Sequence, residues 1–381
     1  METNRCRCNG PHAATYSCKP PFSCTKCAGG QLMRERPNSR SPSSGRSTSS
    51  DVARLAGVSQ SAVSRVFTDG ASASAKTSAK VREAAERLGY RPNRLARSLL
   101  TGKSYMVGLV VAYLDNYFYP DVLEKLSKAL QQQGYHVLIF MAAQTAKNID
   151  NVVEEILEYQ VDAIVTASVA LSSELVDRCQ SEGIPIVQFN RVQEESQFSS
   201  VTTDNVKGGR EVAHHLIEQG YQRFGYIAGW EGASTQRDRE AGFVTALTES
   251  GLELGFRAVG NFRTEQAYEA AKLLLAEKDR PEAVFVANDA MALVIMDVLR
   301  HEAGMKVPAD IAIVGYDDTP PARWPSYDLT SFSQPADKMV ENTVHLLIHH
   351  MNDSDTAPLQ ITVPGQLKIR SSSTNSKPKK T

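Results

Sequence analysis

The sequence predicts a small all-α helix-turn-helix headpiece, followed by an α/β core of two doubly wound parallel-sheet subdomains. Two observations predict this class. Residues 51–67 are typical of two short helices joined by a tight turn, and from residue 105 apolar strands alternate with amphipathic helices. Such alternation indicates parallel sheets that helices cover on both faces. A chain of 381 residues is long enough for a large core with a small domain attached.

Charge divides the chain in the same way. Residues 1–103 carry 18 basic and 6 acidic side chains, whereas residues 104–370 carry 21 basic and 37 acidic ones. This asymmetry predicts that the basic end contacts a polyanion and that the acidic body avoids it. The sequence has no run of about 18 apolar residues and no apolar signal segment, so we expect a cytoplasmic protein without a membrane span.

Residues 1–47 are rich in Ser, Pro, Gly, Arg and Cys and show no apolar period, so we expect a disordered extension. Five of the six cysteines lie in the first 27 residues and only Cys179 lies in the core, which excludes a disulfide framework there. The Cys-x-Cys and Cys-x-x-Cys spacings leave two interpretations open, an irregular zinc site or a tail from a misassigned start codon. We favour the tail and expect no metal.

The first headpiece helix is predicted from Val52, Leu55 and Val58, which fall at helical spacing. Gly57 can take the left-handed conformation that the following turn requires. The next helix starts at Gln60 and buries Val63 together with Val66 or Phe67. Ser59 suits its N-cap. The outer face of this second helix then consists of hydrogen-bonding groups, those of Gln60, Ser61, Ser64 and Arg65.

A third helix is predicted over residues 74–88, with Ser74 as its N-cap and Gly89 as its end. Its buried stripe consists of Val81, Ala84, Ala85 and Leu88. Pro92 closes the headpiece. Residues 93–102 form a short helical segment that is too brief to be stable alone, and we interpret it as a hinge helix.

Two series of strands and helices make up the predicted core. The strands are 106–112, 136–140, 162–166, 186–189, 224–227, 284–286 and 311–314, and the helices lie near 119–133, 147–159, 172–182, 206–219, 237–250 and 289–303. Two series of this length predict two subdomains. Ligands of such folds bind outside the carboxyl ends of the strands.

Several motifs occur in order along the chain. They are Asp51-Val-Ala53, Ala56-Gly-Val-Ser59, Val63-Ser-Arg65, Leu88-Gly-Tyr-Arg-Pro-Asn93, Leu95-Ala-Arg-Ser-Leu99, Val286-Ala-Asn-Asp-Ala-Met-Ala292, Val314-Gly-Tyr-Asp-Asp318, Leu329-Thr330 and Leu367-Lys-Ile-Arg-Ser371. With these motifs the chain resembles the LacI/GalR family of bacterial repressors, the family of the lac and purine repressors, from about residue 48 to 373. The resemblance implies a core of the periplasmic-binding-protein type.

The resemblance also implies which side chains contact DNA. The major-groove bases are assigned to Gln60, Ser61 and Arg65, the phosphates to Ser59, Ser64 and Asn93, and further hinge contacts to Arg94 and Ala96. Arginine can bond two acceptors of guanine and glutamine can pair with adenine. Leu99 matches the leucine that each hinge helix of a dimer inserts between base pairs to bend the duplex. The alternatives are a solvated surface helix, and a Leu99 that packs the hinge on the core.

The family's effector pocket maps onto positions between the two subdomains. They are Tyr117, Phe118, Asn190, Arg191, Asp204, Thr235, Arg239, Phe262 and Asp289. The charged members can donate to and accept from vicinal hydroxyls, and the aromatic rings, with Trp230, offer flat apolar faces, which suits a sugar or a related polyhydroxy compound. A carboxylate or nucleobase-like ligand on Arg239 is the alternative.

Each of these residues also has an ordinary structural interpretation. Asp289 could cap the helix at 290, Arg239 could pair with Asp238 or Glu240 on the surface, and Phe262 could belong to the core. Two positions depart from the family pattern: Ser49 stands where an apolar residue is usual, and Ala73 replaces a larger one. Burying less at Ser49 is expected to weaken the headpiece by up to a few kcal/mol.

Rival functions fit the sequence less well. Gly102-Lys103-Ser104 is not a phosphate-binding loop, because Arg97 stands where a glycine is required and the segment precedes a strand. His301-Glu302 lacks the second histidine of a zinc helix, and no nucleophile elbow occurs. We therefore expect no enzyme and no cofactor. A solute-binding receptor without DNA regulation, which shares the core fold, is the alternative.

The sequence thus predicts a ligand-responsive regulator, acting as a repressor of genes for carbohydrates or related metabolites at the bacterial nucleoid. It is expected to bind a palindromic double-stranded DNA operator as a homodimer, with a tetramer as the alternative. The predicted boundaries are 1–47 for the extension, 48–92 for the headpiece, 93–102 for the hinge, 103–203 with 334–352 for the first subdomain, 204–333 with 353–371 for the second, and 372–381 for a disordered basic tail.

Overall fold

The computed structural model describes residues 47–68, 71–92, 102–112, 114–141, 152, 154–169, 173–192, 198–353 and 356–375. The chain divides into two compact units, residues 1–92 and 93–381. Within the described ranges, no helix is both long and apolar enough to cross a membrane.

The first unit consists of three helices around a small apolar core. They are α1 (Ser49–Ala56), α2 (Gln60–Val66) and α3 (Ala75–Arg87). Val52, Val63 and Val81 are completely buried where the helices meet. The predicted turn is present, because Gly57 ends α1 in the left-handed conformation with φ +64°. Leu55 differs from the prediction: it is 44% exposed, since α1 turns Val52 and Ala56 to the core instead.

Polar caps fix the ends of these helices. Thr48 and Asp51 form a reciprocal capping box at the start of α1. Ser59 caps α2 and Ser74 caps α3, each accepting a bond from a backbone N–H three residues on. These caps satisfy backbone donors that would otherwise lack intrahelical partners. Residue 47, which was predicted to end the extension, is part of the folded unit, because the Ser47 hydroxyl donates to the Leu88 carbonyl oxygen at 2.7 Å. The rest of the predicted extension lies outside the described residues.

The second unit contains two six-stranded sheets. The first has the order β11-β5-β4-β3-β1-β2, and its described pairings are all parallel. Its strands are β1 (Met106–Val111), β2 (His136–Met141), β3 (Ala163–Ala167), β4 (Ile186–Phe189), β5 (Ser199–Thr203) and β11 (Gln360–Val363). Three of its central strands are apolar and buried, as expected for a sheet with helices on both faces.

The second sheet has the order β12-β10-β9-β8-β6-β7, in which only the β12–β10 pair is antiparallel among the described pairings. Its strands are β6 (Phe224–Ala228), β7 (Leu254–Val259), β8 (Ala283–Val286), β9 (Ala312–Asp317), β10 (Thr330–Ser333) and β12 (Gln366–Lys368). The predicted architecture, an α-helical unit and a core of two parallel-rich α/β subdomains, is confirmed.

Helices connect and cover the strands. They are α4 (Phe118–Gln132), α5 (Ser173–Ser181), α6 (Asn205–Glu218), α7 (Ser234–Glu249), α8 (Thr264–Ala276), α9 (Asp289–Asp297) and α10 (Ala336–Asn352), with a π-helical turn at Val298–Glu302 and 3₁₀ turns at Pro320–Arg323 and Ser371–Ser373. The helix predicted near 147–159 lies partly outside the described residues, and 154–158 are helical.

The chain crosses between the two sheets three times, after β5, after β10 and after β11. The third crossing corrects a predicted boundary. Residues 353–371 were expected in the second subdomain, yet β11 pairs with β5 in the first sheet, because its register of Gln360 with Ser200 continues that sheet by one strand. Residues 372–375 are likewise not a disordered tail, since Ser372 and Ser373 are fully buried and hydrogen-bonded.

Candidate DNA interface and effector cleft

The outer face of α2 carries the predicted DNA contacts. Five polar residues on either side of the buried Val63 are exposed: Ser59, Gln60, Ser61, Ser64 and Arg65. The α-helical period produces this separation, because Val63 points to α1 and α3 while the polar residues point outward. A face of this kind can present several donors and acceptors to base edges at once.

Local hydrogen bonds hold these side chains. The Gln60 amide donates to the Ser49 hydroxyl at 2.9 Å, the Ser59 and Ser61 hydroxyls lie 2.9 Å apart, and Arg65 Nε donates to the Ser61 carbonyl oxygen at 3.4 Å. The bond to Ser49 was not predicted. The hydroxyl at a position where the family usually has an apolar residue thus orients a predicted base contact.

Four predicted DNA contacts, Asn93, Arg94, Ala96 and Leu99, lie outside the described residues. Their roles, and that of the hinge helix, stay predictions.

The predicted effector residues all follow the carboxyl ends of strands. Tyr117 and Phe118 follow β1, Asn190 and Arg191 follow β4, Asp204 follows β5, Thr235 and Arg239 follow β6, Phe262 follows β7 and Asp289 follows β8. Two contacts join the subdomains beside them. The Val192 N–H donates to the Ser234 hydroxyl at 3.0 Å, and the Arg191 guanidinium lies 5.1 Å from the centre of the Trp230 ring. These contacts bring residues after β4 and residues after β6 together across the two subdomains. We call this region the cleft, and binding of one effector by all the predicted residues stays a prediction.

On the side of the first subdomain, a buried polar cluster lines the cleft. The Asn190 amide donates to the Tyr119 hydroxyl at 3.1 Å, and the Tyr119 and Ser168 hydroxyls are hydrogen-bonded to each other. Arg191 Nη1 donates to the Ser168 carbonyl oxygen at 2.8 Å. Asn190 Oδ1 is buried and has no hydrogen-bond partner among the described residues. Since such an atom is costly to leave unsatisfied, it is suited to accept a bond from a ligand.

On the side of the second subdomain, Arg239 is the central cation and is only 2% exposed. Its Nε donates to Asn205 Oδ1 at 2.9 Å, and its Nη1 donates to the Ala287 carbonyl oxygen at 2.6 Å and lies 3.8 Å from Asp317 Oδ1. Its guanidinium stacks on the Tyr316 ring at 3.6 Å. A surface pairing of Arg239 is excluded in this structure, because the side chain is buried and its guanidinium bonds Asn205 and the Ala287 carbonyl oxygen.

Asp289 is completely buried at the start of α9. It accepts bonds from the Thr319 N–H at 2.7 Å, the Thr319 hydroxyl at 3.0 Å and the Ser331 hydroxyl at 2.6 Å. Asn288, not Asp289, caps the helix. Burial raises the pKa of the Asp289 carboxyl, and the charge of Asp317 raises that pKa further. Both acids therefore keep a stronger tendency to hold a proton than an exposed carboxylate has.

The aromatic residues divide between the cleft and the core. Phe118 and Phe262 are 4% and 6% exposed and belong to the apolar core, whereas Tyr117 is 49% exposed. Phe262 has φ +59°, a left-handed conformation that costs a bulky residue about 1–3 kcal/mol. Its ring packs directly on Gly229, where a β-carbon would come within 2.0 Å of it. Contact of Phe118 and Phe262 with a ligand stays a prediction.

The remaining predicted residues have partners of their own. Asp204 caps α6 by accepting the Lys207 N–H at 3.0 Å, and Thr235 is buried in the first turn of α7. Asn205 and Asp317 are partners of Arg239 that the sequence did not indicate. Asp317 stands in a motif of the family, but its link to Arg239 bridges 78 positions and leaves no local pattern.

Comparison with known proteins agrees with this geometry. Residues 48–93 match the bacterial regulatory proteins of the lacI family, and residues 213–373 match the periplasmic binding protein-like domain. The chain is 30% identical over 325 residues to catabolite control protein A of Priestia megaterium, which covers 84% of this chain and 98% of that protein. It is 33% identical over 335 residues to the transcriptional regulator CelR of Thermobifida fusca, which covers 84% and 96%.

Solved structures are similar over the same range. The lac repressor dimer bound to operator and the anti-inducer ONPF aligns with a TM-score of 0.78 and 26% identity, over 86% of this chain and 99% of that one. The CelR–cellobiose complex aligns with a TM-score of 0.65 and 30% identity, over 86% and 100%. With a matching DNA-binding unit, a matching core and relatives aligned over nearly their whole length, the chain belongs to the lacI family of bacterial regulatory proteins.

Proposed function

We propose that this protein is an effector-controlled transcriptional repressor that binds a palindromic operator as a homodimer in the bacterial cytoplasm. One observation carries the proposal: a unit with an exposed polar helix face is joined to a unit whose buried charged groups meet at the carboxyl ends of two sheets. A solute-binding receptor requires only the core and would not explain the helical unit with its exposed polar face. A second headpiece is needed because one small module buries too little surface for specific affinity.

We propose that the effector is a neutral sugar. The buried polar groups of the two subdomains include the guanidinium groups of Arg191 and Arg239, the carboxyl groups of Asp289 and Asp317, and Asn190 Oδ1, so the set offers both donors and acceptors. Hydroxyl groups suit this set because each both donates and accepts. A carboxylate ligand on Arg239 is the less favoured alternative, because Arg239 Nη1 already lies 3.8 Å from the Asp317 carboxyl oxygen. Among the relatives, CelR is solved with cellobiose and the ribose operon repressor of Escherichia coli is 30% identical over 309 residues.

Two experiments on the full chain test the proposal. Selection from a random duplex library should enrich a near-palindromic sequence with half-sites about one helical turn apart. A thermal-shift screen of ribose, cellobiose, other sugars, sugar acids and nucleobases should then give a sugar that raises Tm and alters affinity for the selected duplex. Enrichment of no sequence would refute the DNA-binding role, and a screen whose hits are all acids or nucleobases would refute the sugar assignment.

A further inference from the structure

Five buried residues, Arg239, Asn205, Thr203, Gln334 and Asp317, form a closed polar ring. Arg239 Nε donates to Asn205 Oδ1 at 2.9 Å, and Asn205 Nδ2 donates to the Thr203 carbonyl oxygen at 3.0 Å. The Thr203 hydroxyl donates to Gln334 Oε1 at 2.9 Å, and Gln334 Nε2 donates to Asp317 Oδ1 at 2.6 Å. Arg239 Nη1, 3.8 Å from Asp317 Oδ1, closes the polar ring.

The polar ring is shielded from water. Asp317, its most exposed member, is 7% exposed, and Thr203 is 1% exposed. In such surroundings hydrogen bonds polarise one another, and a broken bond leaves a buried donor or acceptor without compensation. Because water cannot replace a broken bond there, a shift of one residue of the polar ring changes the hydrogen bonds of its neighbours.

The polar ring also joins the cleft to the crossings between the sheets. Thr203 ends β5 and Asn205 begins α6, so they flank the first crossing, while Gln334 lies in the second crossing between β10 and α10. Arg239 lies in α7, which follows β6, and Asp317 ends β9, so both stand at the carboxyl end of the second sheet. Any rotation of one subdomain against the other alters the crossings, and with them the distance between Thr203 and Gln334.

We propose that Gln334 is the positioning residue through which effector occupancy at Arg239 and Asp317 reaches the crossings and so changes operator affinity. The inference rests on the proposed function. Both ends of the Gln334 amide are engaged, the oxygen by a hydroxyl donor and the nitrogen by a carboxylate acceptor, which fixes its orientation. A ligand that moves Arg239 away from Asp317 alters the position of the Asp317 carboxyl group, which accepts the bond from Gln334 Nε2. A shift of the Gln334 amide then changes the length of its bond with the Thr203 hydroxyl.

A double-mutant cycle on the full chain tests this without any effector. Arg239→Lys disturbs the cleft side, and Thr203→Val or Gln334→Met breaks the polar ring at the crossings. Thr343→Val is the matched control, because Thr343 is a fully buried threonine of α10 whose hydroxyl donates to the Met339 carbonyl oxygen in the same helix. The probe is the duplex enriched by selection, and its Kd is measured by fluorescence anisotropy, with circular dichroism melting for every variant.

Arg239→Lys should change Kd at least fivefold in the wild-type and Thr343→Val backgrounds and less than twofold in the Thr203→Val and Gln334→Met backgrounds. A change of equal size in all four backgrounds, or in none, overturns the proposal. If Gln334→Met fails to fold, the isosteric Thr203→Val decides the outcome. Failure to enrich any duplex refutes the proposed function itself, whereas an enriched duplex with a flat cycle refutes only the role of Gln334.

Discussion

The polar residues of the headpiece and those of the cleft differ in burial and in how far apart in sequence their hydrogen-bond partners lie. In the headpiece, the predicted DNA contacts that the structure describes are exposed, and their bonds mostly join residues two to four positions apart, as between Ser59 and Ser61 or Arg65 and Ser61. In the cleft, the polar groups are buried and their bonds span long stretches of sequence, 34 positions for Arg239 with Asn205 and 131 for Thr203 with Gln334. The described polar residues of the cleft therefore contribute to the fold of the core, whereas those of the headpiece face make mostly local bonds.

This difference predicts that substitutions in the two regions have different effects on stability. A polar residue of the headpiece face is replaced at little cost in stability, because water satisfies its neighbours. A polar residue of the cleft leaves buried partners unsatisfied when it is replaced. We therefore expect substitutions in the headpiece to weaken DNA binding without lowering stability. Substitutions in the cleft should weaken effector binding and lower stability together.

The largest effect is expected for Arg239→Ala. Removing a buried cation strands Asp317, Asn205 and a backbone carbonyl, which should lower the free energy of unfolding of the core by about 3–5 kcal/mol. The response of operator binding to the effector should disappear. Chemical denaturation and anisotropy with the selected duplex measure the two effects.

Arg257→Ala is the control for this substitution. Arg257 pairs with Glu231 and Glu240 but is 37% exposed, so its loss should cost less than about 1 kcal/mol. Equal destabilisation by the two variants would mean that burial does not set the cost, and the contrast between cleft and surface would fail.

The next effect belongs to the headpiece. Arg65→Ala should lower discrimination at one base pair of each half-site by about 1–3 kcal/mol and leave Tm unchanged, because the side chain is exposed. Repeating the duplex selection with the variant measures the preference. Arg82, exposed on α3, serves as control: its alanine variant should affect all sequences alike. An unaltered preference for Arg65→Ala would exclude base contact.

The same contrast explains how much the sequence could predict. The helix-turn-helix and the apolar strands were found because their periodicity is local: Val52, Val63 and Val81 each stand at the expected face. The strands β5 and β10 were missed because they are short and rich in Ser and Thr, which are typical of loops, although most of their residues are buried. Nothing near Gln334 in the sequence indicates that its partner is Thr203.

Site residues follow the same rule. The resemblance supplied Arg239 and Asp289, and their contacts exclude the simple capping and surface-pair interpretations. It could not supply the hydrogen bond of Gln60 to Ser49, because Ser49 departs from the family pattern. Contacts particular to this chain become visible only when the fold brings the partners together.

Smaller effects separate capping from DNA contact. Ser59 and Ser74 cap α2 and α3 in the same way, so either alanine variant should lower headpiece stability by about 1 kcal/mol. Only Ser59→Ala should also weaken operator binding beyond this loss, since only Ser59 is a predicted phosphate contact. Amide hydrogen exchange reports the stability and anisotropy the affinity. Equal affinities of the two variants would assign Ser59 to capping alone.

The smallest effect is expected at Ser49, which bears on both headpiece stability and the orientation of Gln60. Ser49→Val places an apolar group at a half-buried position, which should stabilise the headpiece by up to about 0.8 kcal/mol, less the contribution of an exposed hydrogen bond. The same change frees the Gln60 amide, whose orientation Ser49 now fixes, so discrimination at the base that Gln60 contacts should fall modestly. Hydrogen exchange of α1 and duplex selection measure the two. Ser49→Thr, which keeps the hydroxyl, is the control and should preserve the base preference. A less stable Ser49→Val headpiece would show that the hydroxyl contributes more to folding than the apolar residue it replaces.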